Sequence, residues 1–434
     1  MVDERKPKRE KPKRKRKRDE SIFPYVAIFA AAIVLIVGVA GVFLLRQDQQ
    51  LPCADTDSGC EFATPTPIAN PLFPTPTPLL PPELVGRQPS NDQSPMISSL
   101  ALSPDEQYLL IGLNNPYRAE VLGEVVSMRL DQSEEGQPTF TEDMSEWELT
   151  QTQLRKVDDI DIQPDGDFFT LASTVNQAVE VYDVSLDNIS GANSELPTYA
   201  SYSDAAFSPD GRYLAVAGND GISLRDAATQ DELASIEANP GEPMVIDLVF
   251  TSDSSTLVVA HSEVMSNNMS PYLEIWQVDD DSLSATQSVL IDRVIIDMVA
   301  HPTLNQVAIA MPGQIDIYDL DSQQHESYPI QQTPAITALT YHPTGGVLAF
   351  GGSHDAITGS LYGIPLGDDG FPVLSDGAIN VNTMGFTSGP VSELLYNGSG
   401  ATLFVGTTNG LLLAWDALTS QNYDDYIFPG DQQP

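Results

Sequence analysis

Hydrophobic residues in this chain come in short alternating bursts, and the bursts recur. In Ser201 to Ile236, SYSDAAFSPDGRYLAVAGNDGISLRDAATQDELASI, apolar positions at Ala205 and Phe207, Leu214 to Ala217, Ile222 and Leu224, and Leu233 to Ile236 predict four short strands. Three turns separate them. Pro209-Asp210-Gly211 presets φ with a proline and accepts a positive φ at a glycine, and Asn219-Asp220-Gly221 supplies the second hairpin. One such antiparallel sheet cannot cover both of its faces, so it must stack on copies of itself.

Copies are present. With Pro209 as reference, the pattern recurs around Pro104, Pro164, Ser252, Pro302, Pro343 and Gly398, giving seven units spaced 60, 45, 43, 50, 41 and 55 residues apart. A four-stranded propeller blade takes roughly 40 to 45 residues, so an all-β, seven-bladed propeller over residues 95–428 is predicted, the longer spacings carrying loop insertions. The expected loops are Asp131 to Gln153, Val264 to Pro271 and about Gly367 to Pro390. Such loops are where propellers place binding residues. The last blade takes its outer strand either from Tyr423 to Phe428 or from a segment near Leu84.

A third strand in several units ends in an aromatic and an acid: Tyr182-Asp183, Tyr318-Asp319 and Trp415-Asp416, with variants at Arg225-Asp226 and Trp276-Gln277. In these residues the chain resembles the WD-repeat family, propellers that act mostly as binding platforms. The resemblance covers roughly residues 95 to 428; no Gly-His dipeptide precedes the first strands, and the first and sixth units lack the aromatic–acid pair. The Ser-Pro-Asp-Gly turns also suit propellers similar to the periplasmic TolB type.

Charge divides the chain. Eleven of the 20 lysines and arginines fall between Arg5 and Arg18, and the sequence after residue 20 carries nine against 56 acids. So acidic a surface repels nucleic acid and anionic lipid and suits cations or basic partners; it also keeps an exported domain soluble. Residues 1–20 read as a basic, disordered cytoplasmic tail. Within 21–46 the run Ile22 to Leu45 contains no charge and is long enough for a membrane-spanning signal anchor, since a bilayer core takes about 20 residues. The flanking positive charge sets the orientation, tail inside and repeats extracytoplasmic, and attracts anionic inner-leaflet lipid.

Residues 47–94 form the expected stalk, with eight prolines between Thr64 and Pro82, a span of about 60 Å if held as polyproline at roughly 3.1 Å per residue. Cys53 and Cys60, the only cysteines, either close a small loop by a disulfide or bridge two chains. Residues 429–434 are a C-terminal tail.

One constellation carries candidate chemistry. Five residues before each reference position stand Ser99, Asp159, Asp204, Asp247, Asp297, Ala338 and Glu393. On innermost strands the five acids would ring the central channel, where they would hold a cation such as Ca²⁺ or attract a basic peptide. Alternatively, each caps its strand or bonds a neighbouring backbone amide. Asp158, Asp159 and Asp161, and Asp279 to Asp281, read as solvated strand edges, and His301 and His342 occupy the turn slot filled elsewhere by Ser103 and Ser208. Trp147 is either a binding anchor or a cover for a blade edge. No nucleophile elbow, phosphate-cradling loop or zinc pattern is present, so no catalytic residues are assigned. Protein or peptide binding is the expected function; a cation-dependent propeller hydrolase or lactonase using the channel acids, and a receptor signalling to the tail, are the alternatives.

Overall fold

The computed structural model describes residues 94–428 apart from 116–121, 134–135, 142–147, 153, 184–197, 239–243, 262–269, 280, 334, 356 and 376. The expected tail, anchor, cysteine pair and stalk, as well as Trp147, lie outside the described residues. Among the described residues, no helix is long and apolar enough to cross a membrane.

Seven antiparallel sheets follow one another, built from strands consecutive in sequence except in the sixth, where a small hairpin precedes the outer strand. The innermost strands are Met96–Leu102, Asp159–Ile162, Tyr202–Phe207, Val245–Phe250, Asp297–Ala300, Ala335–Tyr341 and Val391–Tyr396. Each neighbours the next, and the seventh neighbours the first. This is the predicted seven-bladed propeller.

Why the second strand of each blade reads as an unbroken apolar run becomes clear from its surroundings. Tyr213–Gly218, Thr256–His261 and Gln306–Met311 are buried at every position, because a neighbouring blade covers each face. The cores accordingly lie between blades. Ala215 and Leu224 of the third blade pack with Leu248, Leu257 and Trp276 of the fourth, and the other seams are built likewise. At the closing seam, Ile97, Leu109 and Met128 of the first blade pack with Phe404, Leu412 and Phe428 of the seventh. Burying one such leucine or phenylalanine contributes about 1.5 to 3 kcal/mol.

Turn chemistry sets the register. In the turn after the innermost strand, Ser208 Oγ donates to Asp210 and accepts from Tyr213 N, and Gly211 has φ 71°. Where the glycine is replaced, Glu106 and Ser254 still adopt φ 57° and 61°. Both bond to the preceding blade, Glu106 accepting from Gly398 N of the seventh and Ser254 Oγ accepting from Asp210 N of the third. His301 and His342 do serve in these turns, as expected: His301 Nδ1 accepts from Thr303 N and Leu304 N, and His342 Nδ1 from Thr344 N.

Of the two closure schemes, the structure takes the first. Gln421–Ile427 pairs with Leu411–Asp416, and the ring is closed by side chains, Gln137 Nε2 donating to Asp416 Oδ2 and Phe140 N to Asp424 Oδ2. Two expected loops are corrected. Asp131 to Gln153 contains the outer strand of the first blade in two pieces, Pro138–Phe140 and Glu148–Gln151, both paired with Glu124–Gln132. Likewise Asn382–Ser388 is the outer strand of the sixth blade, which leaves a small hairpin, Leu374–Ser375 with Ala378–Ile379, as the true insertion.

Candidate functional site

Asp159, Asp204, Asp247, Asp297 and Glu393 all fall within the first three residues of their innermost strands. Strands alternate in direction, so those starts lie on the face that carries the connections between blades and the hairpins joining second to third strands. In the first, third, fourth, sixth and seventh blades the register slips just before the ring position, between Ile97 and Ser99, Tyr202 and Asp204, Val245 and Asp247, Ile336 and Ala338, and Val391 and Glu393. A bulge here re-aims the side chains that follow and leaves one residue out of the ladder.

The released groups reach the next blade. Ser99 Oγ accepts from Ile160 N at 3.0 Å, and Asp297 Oδ2 accepts from Leu339 N at 2.6 Å. Asp204 accepts from Leu248 N and Asp247 from Met298 N in the same way. Each donor is the residue that follows the ring position in the next blade. The bulged residues add a second link, Ser203 Oγ donating to Val245 O at 2.9 Å and Thr337 Oγ1 to Val391 O at 2.5 Å. The ring thus staples blade to blade, which is the backbone-amide alternative raised by the sequence.

Burial dominates the electrostatics. It raises Asp159 and Asp297 from 3.8 to about 6, against the pull of N–H donors such as Ile160 and Leu339. Asp204 and Asp247 are pushed well above the usual carboxylate range, first by burial and then by the other acids: Asp159 and Asp247 act on Asp204, and Asp297 and Asp159 on Asp247. Glu393 is raised by burial and by Asp297. The acids feel one another, as groups converging on one channel must. They surround it without gathering: among the described residues, no three histidines, cysteines or acids come together in a group that could hold a metal ion.

Sequence reasoning missed Asp161. Burial raises it to about 7, and its Oδ2 accepts from Phe207 N of the third blade at 2.6 Å. The period of two along a strand puts it on the same side as Asp159, which was the available signal. The reading of Asp159 and Asp161 as solvated edges is therefore corrected, since the strand that carries them is innermost. Asp158 matches that reading no better: it accepts from Thr174 N at 2.8 Å and pairs with Lys156. Asp281 is an exposed edge acid, bonded by Tyr213 Oη at 3.0 Å.

The third-strand acids cap turns. Asp226 Oδ1 accepts from Ala228 N and Thr229 N, and Asp416 Oδ1 from Leu418 N and Thr419 N; these donors hold both carboxyls below 3.8. The preceding aromatics Tyr182, Tyr318 and Trp415 are buried in the seams.

The face at which the ring opens also exposes apolar side chains. Leu122, Val175 and Ile357 lie in hairpins of the first, second and sixth blades, and Val294 and Ile296 in the passage from fourth to fifth. Ile357 is 77% exposed and Val175 60%.

Residues 196–222, which include the innermost and second strands of the third blade, match the family model described as WD domain, G-beta repeat. Comparison with curated proteins finds no match. The chain is thus a seven-bladed β-propeller in which one blade carries a segment similar to the WD repeat, with six more four-stranded blades around it.

Proposed function

We propose that this chain is a membrane-anchored scaffold whose propeller binds protein or peptide partners outside the cytoplasm and performs no catalysis. The observation that carries the binding role is the coincidence, on one face, of the acid-lined channel mouth with exposed apolar residues from several blades. A partner with apolar anchors and basic residues matches that surface: apolar contacts supply area, and the field of the acids steers approach. The acids serve the partner through charge, while their hydrogen bonds serve the fold. Anchoring rests on the uncharged run Ile22 to Leu45, and orientation rests on the basic residues before it.

The test is photo-crosslinking of the full chain in its own membrane. A crosslinker replacing Val175 or Ile357 on the channel-mouth face should capture a protein that one replacing Leu418, on the opposite face, does not. Equal capture from both faces, or from neither, refutes the reading. Protease protection of the tail and digestion of the propeller from outside the cell test the orientation; the reverse pattern refutes it.

A further inference from the structure

Sheet edges are where propellers are open to other chains, and five of the blades protect theirs. The outer strands Pro138–Phe140 and His325–Pro329 contain proline, Thr198–Ala200 is three residues long, Glu232–Glu237 has two glutamates and Gln421–Ile427 has two aspartates. Asn382–Ser388 is uncharged but broken by Gly385, where an added Cβ would stand 2.4 Å from the Trp415 ring. Charge, proline and brevity are the usual means of keeping an edge from pairing.

The fourth blade, like the sixth, has none of them, and its edge is the longer. Its outer strand Ser282–Leu290, SLSATQSVL, has nine residues, no charge and no proline, and six of its positions are exposed. Among the described residues no strand pairs with its outer side. A bulge at Thr286 divides it, so the continuous free run is Gln287–Leu290, ending at Leu290, which is 76% exposed. Exposed acids stand at both ends: Asp279 and Asp281 before the strand, and Asp292 after it.

We propose that this edge takes, as a fifth strand, an extended protein segment with an uncharged centre and basic flanks. Backbone pairing along Gln287–Leu290 supplies the affinity, Leu290 receives an apolar side chain, and the terminal acids select the flanks. A second copy of this chain fits poorly, because residues 94–428 carry 49 acids against seven lysines and arginines. The inference rests on the propeller being a protein-binding module but uses its rim in place of the channel mouth.

The probe is a labelled synthetic peptide of alternating threonine and valine with lysines at both ends, and its glutamate-ended counterpart. Anisotropy with the full chain should show binding of the first and at least about tenfold weaker binding of the second. Hydrogen exchange should slow within residues 282–290 when the lysine peptide is present. Ser288→Lys, an exposed change that blocks the edge by charge, should weaken binding about tenfold with an unaltered unfolding midpoint. Ser288→Pro should do the same by removing a donor. Asp297→Asn, in the channel, should leave peptide binding unchanged; loss there instead assigns the peptide to the channel mouth and overturns the edge proposal while sparing the scaffold reading. Absence of binding, protection on another blade, or concentration-dependent self-association through this strand also overturns it.

Discussion

Raising the pH from 5 to 8 should weaken this propeller, opposite to the behaviour of a protein whose carboxylates are all held by cations. A carboxyl raised by burial favours the folded state while protonated. Its contribution is complete below the unfolded value of 3.8 and is lost as pH climbs through the folded value, about 6 for Asp159 and Asp297 and about 7 for Asp161. Between pH 5 and 8 an acid at about 6 loses about 1.4 kcal/mol and one at about 7 about 2.6 kcal/mol. The three together lose about 5 kcal/mol, reduced to about 3 for water in the channel and for their mutual coupling.

Asp204, Asp247 and Glu393, raised by burial and by their neighbours, act in the same direction. His301 acts in the other: burial lowers it from 6.5, so it gains stability as pH rises, by at most about 2 kcal/mol. The histidine thus opposes the acids without reversing the sign of their effect. The turn acids Asp226 and Asp416, held below 3.8, are ionised throughout the window and drop out. With an unfolding entropy of about 2.1 cal/mol/K per residue over roughly 340 residues, a loss of about 3 kcal/mol lowers the midpoint by about 4 °C. Calorimetry of the chain at pH 5 and 8 measures it. A midpoint that rises steadily across that range would show that the acids are not buried as described.

Substitutions read the individual joints. Glu106→Ala removes the acceptor for Gly398 N across the closing seam and should cost about 1 to 2 kcal/mol, with faster hydrogen exchange confined to the first and seventh blades. Gly221→Ala should cost more than about 2 kcal/mol in thermal unfolding, because φ is 119° there and an added Cβ would meet Ile236 O at 1.8 Å. Phe404→Ala, fully buried in the same closing seam, should cost about 3 to 5 kcal/mol in denaturant titration.

The blades were legible in the sequence because each is local: the strand pattern and the turn after it lie within a few residues, as in Phe207 to Leu214. The ring position was legible for the same reason, since bulge and acid hold a fixed offset from the turn. The partners of the acids were not. Leu339 N lies 42 residues from Asp297, and only stacking brings them together. The outer strand of the first blade was taken for a loop because Pro138–Phe140 is too short to show a period, and pairing with Leu130 to Gln132 is what defines it. Asn382–Ser388 escaped notice because an exposed edge strand needs no apolar alternation.

Closure of the ring is the claim on which the channel, the seams and the binding face all depend. Gln137 and Asp416, from the first and seventh blades, are in contact at 2.8 Å. In a chain with Cys53 and Cys60 replaced by serine, Gln137→Cys together with Asp416→Cys should be joined within one molecule by a short bismaleimide, which spans the reach of the two native side chains, and the product seen as altered migration in a denaturing gel. A pair that stays unlinked in the folded chain, or that is joined only between separate molecules, would contradict the closed propeller.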